Sequence, residues 1–143
     1  GAKLAEVLDA LKTRLNADQK HAYMNELRGQ AVEFDKAQDY RSALQYYKDA
    51  VAFAPPEEKA AREQDVLAAA EREAEQTMVD GLLELARKLD ADSTATEHER
   101  KSLREDLQRY LDKYGGPESP EKPQGHFIEK VKAAMELLEK KRG

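Results

Sequence analysis

Residues 24–55 read MNELRGQAVEFDKAQDYRSALQYYKDAVAFAP, and this stretch decides the fold. Leu27, Ala31 and Phe34 recur at helical spacing before Gln38-Asp39, and Tyr40, Ala43, Leu44, Tyr47, Ala50, Val51 and Ala54 recur after it. Each set lies on one face of a 3.6-residue period, so each predicts a half-buried helix. The break between them is long enough only for a tight turn, which makes the two helices antiparallel neighbours. Asp39 can cap the second helix by accepting from its free N–H groups. Pro55 ends that helix, and Pro56 suits the first turn of the next. Ala31, Ala43 and Ala50 let the helices approach closely, while Leu27, Phe34, Tyr40 and Tyr47 fill the space around them. Adjacent helical residues point about 100° apart. Tyr47 therefore joins the seam, and Tyr46 reads as half-exposed, where an aromatic ring can anchor a partner.

Working outward toward the N-terminus, Leu4, Val7, Leu8, Leu11 and Leu15 mark a first helix over 3–15. Asn16-Ala17-Asp18 interrupts it, with Asp18 the expected cap of the second helix, which runs to Lys36 and adds Tyr23 to its inner face. Toward the C-terminus, Leu67, Ala70, Ala74, Met78, Leu82, Leu85 and Leu89 keep helical phase from 57 to 91. Gly81 weakens helix propensity there without breaking the phase. The opening turns, Glu57 to Glu63, read as solvated. Thr96 and Glu99 have capping-box spacing ahead of a fifth helix bearing Leu103, Leu107, Tyr110, Leu111 and Tyr114. Residues 115–125, GGPESPEKPQG, carry nothing apolar and read as a loop or tether. A last helix over 126–141 carries Phe127, Ile128, Val131, Met135 and Leu138. The expected organisation is a helical hairpin domain over 1–114, the 115–125 loop, and a C-terminal amphipathic helix over 126–143 docked on the same domain.

Composition agrees with this all-α reading of antiparallel hairpins, about six helices with one long central member. Ala, Leu, Glu, Lys and Arg supply 80 of the 143 residues. Six Val, one Ile and four Thr are too few to furnish a sheet. The absence of Cys removes zinc fingers, disulfide frameworks and thiol chemistry, and points to the cytoplasm, although a trimmed leader or a larger parent protein stays open. No apolar run reaches the roughly 18–20 residues of a membrane span. A net charge of −5 argues against nucleic acid as the ligand, and the one basic cluster, Lys140-Lys141-Arg142, is terminal.

The hairpin resembles a tetratricopeptide repeat, whose signature positions would fall on Leu27, Ala31, Phe34, Tyr40, Ala43, Tyr47, Ala50 and Pro55. Ala31 stands where that repeat often has Gly, and no second copy follows 34 residues on. Residues 31–51 also resemble the first hairpin of a microtubule-interacting-and-transport (MIT) domain, including the Ala31-x-x-x-Asp35 step. That family is a three-helix bundle whose long third helix residues 57–80 could provide. Members of both families bind segments of other proteins. The tetratricopeptide resemblance implies that Asn25, Arg28, Val32 and Asp35 face a ligand. Val32 stands where chaperone-binding repeats carry Asn, so a clamp for a terminal carboxylate is not implied.

Catalytic equipment is not legible. His21, His98 and His126 lack a partner His at i+3 or i+4, and no Glu-x-x-His motif occurs. Asp90-x-Asp92-x-Thr94 begins like a calcium loop, but Ala95 replaces the turn Gly and Lys101 the closing Glu. No Gly-rich loop is followed by Lys-Ser/Thr. The sequence therefore leads to a non-enzymatic adaptor without cofactor or metal, binding a peptide or helix of a partner protein. Its candidate contacts are Asn25, Arg28, Val32, Asp35 and Tyr46. The alternative is a helical bundle that self-associates into a homo-oligomer through the fourth or the last helix.

Overall fold

The computed structural model describes residues 2–14, 16–115 and 125–139. Six helices and no strand occur among them: α1 (Ala2–Arg14), α2 (Ala17–Lys36), α3 (Tyr40–Val51), α4 (Lys59–Ala91), α5 (Glu97–Tyr114) and α6 (Gly125–Glu139). The protein is all-α, as its periodicity predicts. Residues 116–124 of the expected loop and the basic cluster at 140–142 lie outside the described residues. The chain divides into two compact units, Gly1–Ala74 and Glu75–Gly143, and the boundary falls inside α4. No described helix is long and apolar enough to cross a membrane.

Helix ends follow local chemistry. Asn16, not Asp18, caps α2: its side chain accepts from the Gln19 N–H at 2.9 Å, and the Gln19 side-chain Oε1 accepts from the Asn16 N–H at 3.1 Å. This reciprocal box needs an amide or acid at the third helical position, which Asn16 has in Gln19 and Asp18 lacks in His21. The α2–α3 turn is closed by Gln38 at φ 64°, with Gln38 N–H donating to Asp35 O and Asp39 N–H to Phe34 O. That pattern consumes two orphan carbonyls of α2. Asp39 then caps α3 through the Ser42 N–H, and Thr96 with Glu99 forms the capping box of α5.

In the first unit α2 packs chiefly on α3. One cluster joins Met24, Leu27, Ala50 and Phe53, with Leu8 of α1, Tyr23 and Tyr46 against it. A second joins Ala31, Ala43, Tyr47 and Ala69, so α4 enters the core through an alanine. Tyr23 meets Phe53 edge-on at 4.8 Å, and Phe34 stacks on Tyr46 at 5.2 Å.

The second unit takes its buried side chains from Val79 and Ala86 of α4, Leu103, Leu107 and Tyr110 of α5, and Phe127, Val131, Ala134, Met135 and Leu138 of α6. Helices α5 and α6 pack on each other. Arg100, only 4% exposed, lies among these residues. It donates to the carbonyls of Leu138 (3.0 Å) and Leu89 (3.4 Å), thereby satisfying oxygens in the last turns of α6 and α4. Lys130 reaches Asp80 at 2.6 Å.

The buried face of α4 differs from the stripe of large residues expected for it. Leu67, Ala74, Met78 and Leu85 are exposed, Ala70, Leu82 and Leu89 are half-buried, and Ala69, Val79 and Ala86 are buried instead. The helix is turned so that its charged residues meet partners: Arg62, Asp65 and Arg72 in the first unit, Glu75 in the second. The opening turns are likewise not wholly solvated, since the Arg62 side chain is 12% exposed.

Candidate functional site

Four of the five candidate contacts lie on α2, and two of these are occupied from within the chain. Arg28 donates to Asp65 of α4 at 3.3 Å. Asp35 receives Arg72 through two bonds, at 2.8 and 3.3 Å, and also the Tyr47 hydroxyl at 3.2 Å. The fork of Arg72 onto one carboxylate fixes the register of α4 against α2, because a guanidinium binds both oxygens in one orientation only. Burial pushes the Tyr47 phenol above its ordinary range, and the Asp35 carboxylate beside it raises it further.

A second set of polar contacts runs beside the first. His21 meets Glu58 at 2.7 Å, Glu58 meets Arg62 at 3.4 Å, and Arg62 Nε lies 3.0 Å from Asp65. The Arg62 Nε contact is off the N–H axis, so it is ionic rather than a hydrogen bond. Asn25 is exposed and, among the described residues, its side chain reaches only His21, at 3.4 Å. Val32 is 40% exposed. Tyr46 is half-buried between the two core clusters, with its ring on Phe34. The structure thus does not gather Asn25, Arg28, Val32, Asp35 and Tyr46 around one opening: α4 lies against the polar side of α2.

An opening exists on the other side of α4. Lys48 and Val51 of α3, with Glu63, Val66 and Leu67 of α4, line a groove of about 410 Å³. Its walls are apolar, and Leu67 is 57% exposed. Lys48 and Glu63 are its charged lining residues, and neither makes an ion pair among the described residues. Sequence reading missed this groove because Leu67 fits the apolar stripe of α4 equally well as a core residue. A residue four positions from the charged Glu63, on a helix whose Ala69 is the buried member, ends on the outside.

In the second unit Leu85, Leu89, His98, Glu99, Ser102, Leu103 and Asp106 line a shallower opening of about 350 Å³. Tyr110 donates to Glu75 at 2.5 Å, and burial together with this bond raises its phenol well above the ordinary range. Among the described residues no three His, Asp or Glu converge on a point where a metal could bind. Compared with protein-family models, curated proteins and solved structures, the chain matches none.

Proposed function

We propose that the chain is a non-enzymatic protein–protein interaction module whose α3–α4 groove receives an apolar face of a partner polypeptide. The observation that carries this reading is Leu67. A leucine 57% exposed beside Val51 and Val66, in a concave setting, leaves apolar surface in water that a partner's side chains would cover. Each buried CH₂ contributes about 0.8 kcal/mol, so two or three anchoring side chains suffice for a specific, reversible contact. The resemblance of residues 24–55 to tetratricopeptide and MIT hairpins points the same way. The ligand-facing surface shifts, however, from α2 to the α3–α4 side, because Arg28 and Asp35 are engaged by α4. Val32 and Tyr46 are not among the residues lining that groove.

Site-specific photocrosslinking tests it. A photoreactive side chain replacing Leu67 should attach covalently to a polypeptide, whereas the same group replacing the exposed Glu26 of α2 should not. Val51→Asp, placing a charge in the groove, should diminish labelling from position 67. Equal labelling from both positions, or none from 67, sinks the reading.

A further inference from the structure

We infer that the occupant of the α3–α4 groove is a second copy of this chain, related by a two-fold axis that passes between Lys48 and Glu63. This rests on the reading of the groove as a polypeptide-binding surface and names what fills it. The reason is the arrangement of charge. The groove carries one cation, Lys48, from α3 and one anion, Glu63, from α4, together with Val51, Val66 and Leu67. Neither charge is spent on an ion pair among the described residues, although the neighbouring Glu58, Arg62 and Asp65 all are.

The charges of a surface paired with its own copy attract each other only if they change sign across the symmetry axis, since every residue i meets j while j meets i. Lys48 and Glu63 satisfy that condition. An axis lying in the plane of the groove, across the line from Lys48 to Glu63, sets Lys48 of one copy over Glu63 of the other, twice, and brings α3 of each copy, with Val51, over α4 of its mate, with Leu67. A ligand of uniform charge would instead be attracted by one of these charges and repelled by the other. The apolar groove supplies the attraction, and the two crossed ion pairs select the register and the self-pairing.

Sedimentation velocity on the full chain tests this, across roughly 1 μM to 1 mM, the range of weak to moderate affinities. The expected result is a concentration-dependent monomer–dimer equilibrium. Lys48→Glu and Glu63→Lys should each weaken the dimer about tenfold, because each places like charges together at both symmetry-related contacts. An equimolar mixture of the two variants should recover dimerisation, since a mixed pair restores opposite charges at both contacts. Leu67→Asp should weaken it about a hundredfold. Circular dichroism on every variant should show unchanged helix content, as all three positions are exposed.

A dimer indifferent to the charge reversals, or a mixture no better than its components, overturns the inference. So does a chain that stays monomeric throughout the range. If such a monomer still crosslinks a different polypeptide from position 67, the reading of the groove survives and only the second copy is excluded. If it crosslinks nothing, both fall.

Discussion

The two units solve the same packing problem with different materials. In the first, Ala31, Ala43, Ala50 and Ala69 bring helices close beside Met24, Leu27 and Phe53, and Arg28–Asp65 and the Arg72 fork on Asp35 tie α4 to α2. In the second, volume comes from Leu103, Leu107, Phe127, Val131, Met135 and Leu138, and the polar work falls to Arg100, which closes helix ends. Small residues bring backbones close and leave little apolar area to bury, so they place a helix poorly unless directional bonds fix it. Large residues interdigitate and fix position by shape. The first unit accordingly holds α4 by its charged side while Leu67 stays outside; in the second, Met78 and Leu85 stay outside because Val79 and Ala86 face inward.

This contrast can be broken by opposite changes in the two units. Phe127→Ala should cost about 4 kcal/mol, measured by urea unfolding, because a fully buried ring leaves a cavity that α5 and α6 cannot close. Ala43→Leu should cost about 2–3 kcal/mol by the opposite mechanism, forcing apart helices that an alanine holds together. A tolerated Ala43→Leu would mean that the first unit is not closely packed after all. Asp35→Ala should cost about 1.5 kcal/mol, discounted because the Arg72 and Asp35 side chains are still 26% and 20% exposed. Hydrogen-exchange protection should fall at the α2–α4 contact rather than in the α2–α3 turn.

The smallest effect is expected from alkali. The folded chain holds the phenols of Tyr47 and Tyr110 protonated above their ordinary value of 10.0, whereas the unfolded chain releases those protons first. Above that pH the unfolded state binds fewer protons, so stability is complete below about pH 10 and declines as pH rises beyond it. Tyr47→Phe combined with Tyr110→Phe should flatten that decline, read from unfolding midpoints between about pH 9 and 11. An unchanged slope would remove the tyrosine–carboxylate pairs from the account of either unit.

Much of the architecture was legible before any coordinates, and the reasons are local. The α2–α3 hairpin, the Asp39 cap and the Thr96–Glu99 box depend on residues at most a few positions apart, so spacing alone reveals them. Asn16 was legible in principle too; Gln19 three residues on is the sign that distinguishes it from Asp18. The face of α4 was not. Leu67, Met78 and Leu85 form as good an apolar stripe as any in the chain, and a stripe states which residues share a direction without stating what lies there. The candidate contacts on α2 show the same limit, since Arg28 and Asp35 find partners 37 residues away.

The sequence by itself determined that this is a chain of helices, where most of them begin and end, and that two of them form a hairpin seamed with alanine and tyrosine. Those properties follow from hydrogen bonds and steric preferences acting within a turn or two of helix. Tertiary structure alone decided which side of α4 is buried, that Arg100 belongs inside, and that an apolar groove opens between α3 and α4 with one cation and one anion in its lining. Burial is a competition between surfaces far apart in sequence. In α4 the side that carries Asp65, Ala69 and Arg72 meets α2 and α3, and Leu67 is left outside.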